Sequence, residues 1–130
     1  MNKPFDFWQD HSDIYLEMAF RTDREERISN PDAGGKKIGD CGDNIEIFFV
    51  VNDDRIEDVS FTVDGCLNTR ACANTVAQLA KGKSIDEAWE INPTVVSDYL
   101  ETLPPNEHHC AELAVGALYL ALADYQSRRP

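Results

Sequence analysis

The chain has 130 residues and carries 24 acidic against 12 basic side chains, a formal net charge of −12. Its 42% hydrophobic share supports the core of one ordinary domain, and the length leaves little room for a second. So negative a surface repels phosphate backbones and anionic lipid, which sets nucleic acid and membrane surfaces aside as partners. It would attract a basic protein, although solubility alone also accounts for it.

No apolar run approaches the roughly 20 residues that span a bilayer. Residues 1–13 lack the basic flank and apolar stretch of a signal peptide. The expected location is the cytoplasm, where thiols stay reduced. Four cysteines there point to metal or sulfur chemistry before disulfides.

Taken in order, residues 5–27 have a helical pattern, with Ile14, Tyr15, Met18 and Ala19 at three- and four-residue spacing. Ser29 to Gly42 holds Asn30-Pro31-Asp32 and Gly34-Gly35 and is expected to be loop. Ile45, Ile47, Phe49 and Val51 alternate through a strand from Asn44 to Asn52. Asn52-Asp53-Asp54 then turns into a second strand, Arg55 to Val63, and antiparallel pairing is the simplest arrangement. Helices follow: one over about 67–80 closed by Gly82, a short one opened by the capping box of Ser84 and Glu87, and one from Pro93 to about Glu101. After Pro104-Pro105 a long final helix runs from about Glu107 to Tyr125. Strands first and helices after predict an α+β fold, a small antiparallel sheet with helices packed on one face.

Cys41, Cys66 and Cys110 each fall at a junction: in a loop before the first strand, between a strand and a helix, and in the first turn of the last helix. Free N–H groups and the dipole at helix starts favour thiolate, the form that binds soft metals and attacks sulfur. Separations of 25 and 44 residues match no zinc-finger or ferredoxin spacing, so spacing alone leaves burial as small hydrophobes open. Cys72, inside a helix beside Ala71 and Val76, reads as core. His108 and His109 are capable ligands or proton carriers. Asp43, ordinarily a turn residue, would offer an oxygen donor harder and more readily displaced than sulfur.

With these residues in view, the chain resembles the IscU/NifU N-terminal family of iron–sulfur cluster assembly scaffolds. The resemblance runs from about Gly39 to Tyr125. It rests on Cys41-Gly42-Asp43, Ile56-Glu57-Asp58 with Phe61, Gly65-Cys66, Lys81-Gly82-Lys83-Ser84-Ile85-Asp86-Glu87-Ala88, Leu103-Pro104-Pro105 and His109-Cys110-Ala111-Glu112-Leu113-Ala114. It implies an IscU/SufE-like α+β fold with a three-stranded antiparallel sheet, one strand lying where loop or helix is read above. It divides the single domain into a divergent N-terminal helix and loop, 1–38, and a scaffold core, 39–126. It also implies a transient [2Fe-2S] cluster on Cys41, Cys66 and Cys110, with Asp43 or His109 completing or modulating the fourth position. Zinc is a second occupant of the same site. Cys110 would accept persulfide sulfur from a cysteine desulfurase, and apo-proteins would receive the cluster. The interval between Cys66 and Cys110 lacks the insertion of SufU-type relatives, which favours the IscU-type branch.

The sequence departs from the family pattern at several points. The usual Asn-Pro-Arg neighbourhood is missing from residues 1–38. Asn106-Glu107 replaces a valine-lysine pair after the prolines, a charge reversal that should weaken recognition by a dedicated Hsp70-type chaperone. Leu67-Asn68 follows Cys66 where glycine and serine are usual, and Cys72 stands where a small hydroxyl residue is common and is a candidate alternative ligand. A carrier that builds no bond turnover of its own is the expected role. The alternatives are a zinc-bound sulfurtransferase that relays sulfur through Cys110 without building a cluster, and a zinc-stabilised module with an acidic docking face.

Overall fold

The computed structural model describes residues 5–40 and 42–128. Three strands, β1 (Ala33–Ile38), β2 (Asn44–Asn52) and β3 (Arg55–Asp64), form an antiparallel sheet in that order. Ile45, Ile47 and Phe49 are fully buried on one face of β2, as their alternation requires. Asp53 and Asp54 both take positive φ, 54° and 62°, between the paired Asn52 and Arg55. Left-handed backbone at both central positions is the hairpin turn whose twist matches the strands it joins.

The helices are α1 (Phe7–Asp10), α2 (Asp13–Phe20), α3 (Leu67–Ala80), α4 (Ile85–Ala88), α5 (Pro93–Leu100) and α6 (His108–Arg128), the last preceded by a 3-10 turn at Pro105–Glu107. The capping box at α4 is complete, with Ser84 Oγ accepting from Glu87 N–H and the Glu87 carboxylate accepting from Ser84 N–H. Pro93 opens α5 behind Asn92, whose side chain accepts from Val95 N–H. Helices α3 and α6 lie on the sheet, and α2 and α5 pack on α3. One core results, filled from both layers by Phe49, Phe61, Val76, Leu118 and Leu122. Among the described residues no helix is long and apolar enough to cross a membrane.

Two local expectations are corrected. The helical stretch over 5–27 is two short helices followed by extended chain. Ser12 breaks it by capping α2, accepting from Tyr15 N–H while its own hydroxyl donates to the Leu100 carbonyl. Past α2, Arg24 carbonyl accepts from Phe61 N–H, and residues 24–25 cover the open edge of β3 instead of coiling. The second correction is β1 itself, which lies in the segment read as loop. Gly35 has no turn role: a Cβ there would stand 2.3 Å from Ala121 N and 2.7 Å from Ala117 O. Glycine lets this strand lie directly on the backbone of α6.

Candidate metal centre

Cys66 caps the N-terminus of α3 with its side chain exposed and making no capping bond. Cys110 lies in the first turn of α6 and is buried, 1% exposed. The fold brings these residues together at one end of the sheet. Their sulfurs and a carboxylate oxygen of Glu107 all lie within 4.8 Å of one another. Cys41, the third expected thiolate, lies outside the described residues.

Thr69 sits at the middle of this cluster, fully buried. Its hydroxyl donates to Asp43 Oδ2 at 2.7 Å and stands 3.5 Å from Cys66 Sγ and 3.6 Å from Cys110 Sγ. Asp43 rests against Gly65, where a Cβ would come within 2.8 Å of Oδ2. Glu107 accepts from the Cys110 thiol at 3.5 Å and lies 3.6 Å from His109 Nε2. His109 is half exposed and lines a cleft of about 470 Å³ together with Lys37, Gly39, Asp40 and Glu112.

The position of Cys110 at a helix start leads one to expect a thiolate, and here the structure differs. Burial pushes its thiol up to about 12, the Thr69 hydroxyl only partly offsets this, and the charges of Cys66 and Glu107 add to it. A thiol raised so far holds its proton at neutral pH, and a metal binding there must displace that proton. Cys72 is fully buried, and burial holds its thiol well above the ordinary range. It belongs to the core, as its helical neighbours indicate, and contributes no atom to the cluster with Glu107.

Of the site residues named from the sequence, Cys66 and Cys110 meet in this cluster, Asp43 and His109 stand beside it and Cys41 lies outside the described residues; Glu107 and Thr69 were not named for the site from the sequence. Glu107 was legible as an acid three residues before Cys110, within reach across one helical turn. Thr69 is the corresponding residue three positions after Cys66.

Two soft sulfurs and a carboxylate suit zinc or iron rather than calcium or magnesium. The family model of the NifU-like N terminal domain matches residues 23–130. The chain belongs to this family. Among curated members, the iron-sulfur cluster assembly scaffold protein IscU of Escherichia coli strain K12 is 43% identical over 90 residues, covering 68% of this chain and 70% of that protein. The scaffold protein IscU 1 of Archaeoglobus fulgidus is 41% identical over 85 residues, 65% of this chain, and the match spans only 56% of the archaeal protein. The N-terminal NifU-like protein of Brucella abortus has the same fold, with a TM-score of 0.74 at 17% identity over 91% of this chain and 95% of that one. Solved FiSufU from Fervidobacterium islandicum gives a TM-score of 0.71 at 22% identity, over 85% of this chain and 95% of its own. The family fold, with its three-stranded sheet and long C-terminal helix, is therefore the fold observed here.

Proposed function

We propose that this protein is a scaffold on which a [2Fe-2S] cluster is assembled on Cys41, Cys66 and Cys110 and then passed to recipient apo-proteins. The observation that carries the reading is the meeting of Cys66 and Cys110, from two different helices, with an acidic oxygen in one donor group. Such a group, open to solvent at Cys66 and closed at Cys110, suits cargo that must be both held and released. Asp43 and His109 flank it and modulate the fourth position. Zinc takes the same donors when iron is absent.

Cys110 accepts the sulfur. Its sulfur attacks the outer sulfur of the persulfide on a cysteine desulfurase, the new S–S bond forms on Cys110 as the old one breaks, and the departing desulfurase thiolate takes up the proton that the Cys110 thiol gives up. The cleft beside His109 gives an incoming chain access to that end of α6. The whole sequence takes place in the cytoplasm. The carboxylate at Glu107 disfavours docking of the dedicated Hsp70-type chaperone.

The test is anaerobic incubation with ferrous iron, cysteine and a cysteine desulfurase, followed by counting iron, sulfide and zinc. The expected product is coloured and holds iron and sulfide in equal number. Cys110→Ser should abolish both the colour and the persulfide adduct seen by mass spectrometry. A protein that takes up persulfide on Cys110 yet stays colourless and zinc-bound would replace the scaffold reading with sulfur relay.

A further inference from the structure

The geometry assigns Glu107 as the oxygen ligand that completes the metal centre, an inference that rests on the metal-site reading above. Glu107 ends the 3-10 turn Pro105–Glu107 and is partly buried, with 27% of its side chain exposed. With Cys66 and Cys110 it forms the one group of potential ligand atoms, among the described residues, in which all members approach within 4.8 Å. A tetrahedral zinc ion with sulfur at about 2.3 Å and carboxylate oxygen at about 2.0 Å holds those two donors about 3.5 Å apart. Glu107 Oε2 and Cys110 Sγ are 3.5 Å apart already. The metal would replace the thiol proton between them without moving either arm far.

The other two acids and bases nearby are differently engaged. Asp43 takes the Thr69 hydroxyl at 2.7 Å and lies against Gly65, and that same hydroxyl stands 3.5 and 3.6 Å from the two sulfurs, so its carboxylate is already engaged. His109 turns to Glu107 and the cleft, 3.6 Å from the carboxylate, and so stands behind the donor. At that distance it makes no hydrogen bond to the carboxylate, which leaves Glu107 free to turn to the metal. A carboxylate is also the harder donor of the set, the first to leave when a thiolate from a recipient competes for the metal.

The experiment uses the full chain with zinc and, separately, cobalt, under reducing anaerobic conditions. Zinc affinity is measured by competition with a chromophoric chelator, and the cobalt complex is followed through its ligand-field absorption. Glu107→Gln should weaken zinc by about tenfold or more and shift the cobalt bands as water takes the place of the carboxylate, whereas Asp43→Asn and His109→Ala should cost less. If Glu107→Gln unfolds without metal, Glu107→Asp is read in its place, since the shorter arm keeps the charge and loses the contact. Wild-type affinity and an unchanged cobalt spectrum in the Glu107 variant would overturn the assignment, as would a larger loss in Asp43→Asn or His109→Ala. The scaffold reading fails separately, on a wild-type protein that binds zinc normally yet never builds a cluster.

Discussion

At the scale of single residues, one hydroxyl organises the candidate centre. Thr69 touches both sulfurs and holds Asp43, so it sets the spacing of the donors as well as the charge beside them. Thr69→Val keeps the shape and deletes the hydroxyl. A hydrogen bond to a charged acceptor contributes about 1.5–3 kcal/mol, and Asp43 is only partly buried, so water recovers part of it; the expected loss is about 1 kcal/mol. Urea unfolding of the metal-free protein measures that loss, and Thr69→Ser should restore most of it. A valine variant as stable as the wild type would leave the hydroxyl without a structural role. Cys66 and Cys110 were legible in the sequence because each stands at a junction of elements, where a side chain can face an edge instead of a core. Thr69 and Glu107 were not, since a threonine in a helix and an acid after two prolines have ordinary explanations. Only the closing of α3 on α6 gives them a common purpose. The protonated state of Cys110 was also hidden, because the helix-start argument counts the dipole and cannot count burial.

At the scale of elements, hydrophobic alternation and capping chemistry identified β2, β3, α3, α4 and α5 close to their observed limits. These elements announce themselves through local rules: period-two alternation, a capping box, proline at a helix start. Strand β1 obeys none of them. Its Gly34-Gly35 pair reads as a turn, and Lys36, Lys37 and Ile38 are exposed, so no buried stripe marks it. The reason for its glycine lies 86 residues further on, at the backbone of Ala121. Gly35→Ala should therefore be among the costliest single-methyl additions in the chain. Its Cβ would meet backbone at 2.3 Å, which cannot swing aside as a side chain can, so strand and helix must separate. Overpacking of this kind costs about 1–3 kcal/mol and occasionally more. A melting temperature lowered by several degrees, with zinc uptake at the candidate centre unchanged from the wild type, is the expected result. Gly34→Ala, whose nearest neighbour is the Phe48 ring at 3.3 Å, should be milder. Equal effects at the two positions would mean that the close approach to α6 is not what fixes glycine there.

At the scale of the whole molecule, the N-terminal helices are fastened to both sides of the candidate centre. Tyr15 Oη donates to Asn68 Oδ1 in the first turn of α3, next to Cys66. His11 stacks on the Tyr15 ring with centroids 3.7 Å apart, and its Nδ1 meets Thr102 Oγ1 at 2.8 Å, just ahead of Leu103 and the prolines that lead to Glu107 and Cys110. Phe5 and Phe7 pack edge-on against the same imidazole. Burial among these rings lowers the His11 pKa below its ordinary 6.5, and the nearby Asp10 carboxylate opposes this only in part. The unfolded chain therefore takes up this proton more readily than the folded one. Stability from His11 is complete above about pH 6.5 and is lost as the pH falls from there toward the folded value. Acidification also protonates the many carboxylates of a chain with net charge −12, so the wild-type curve alone cannot isolate one histidine. The difference between wild type and His11→Gln can. Urea midpoints at pH 7.5 and pH 5 should converge as the pH falls, with the wild type losing more than the variant. Because the same contacts hold the chain on either side of Cys66 and Cys110, the protection factors of the Asn68, Thr102, Leu103 and Glu107 amides, which are exchange rates corrected for the intrinsic slowing in acid, should fall together as the pH drops in the wild type. Parallel pH curves for the two proteins would show that the N-terminal helices are held by their apolar faces alone, and that His11 neither senses protons nor couples this latch to the centre.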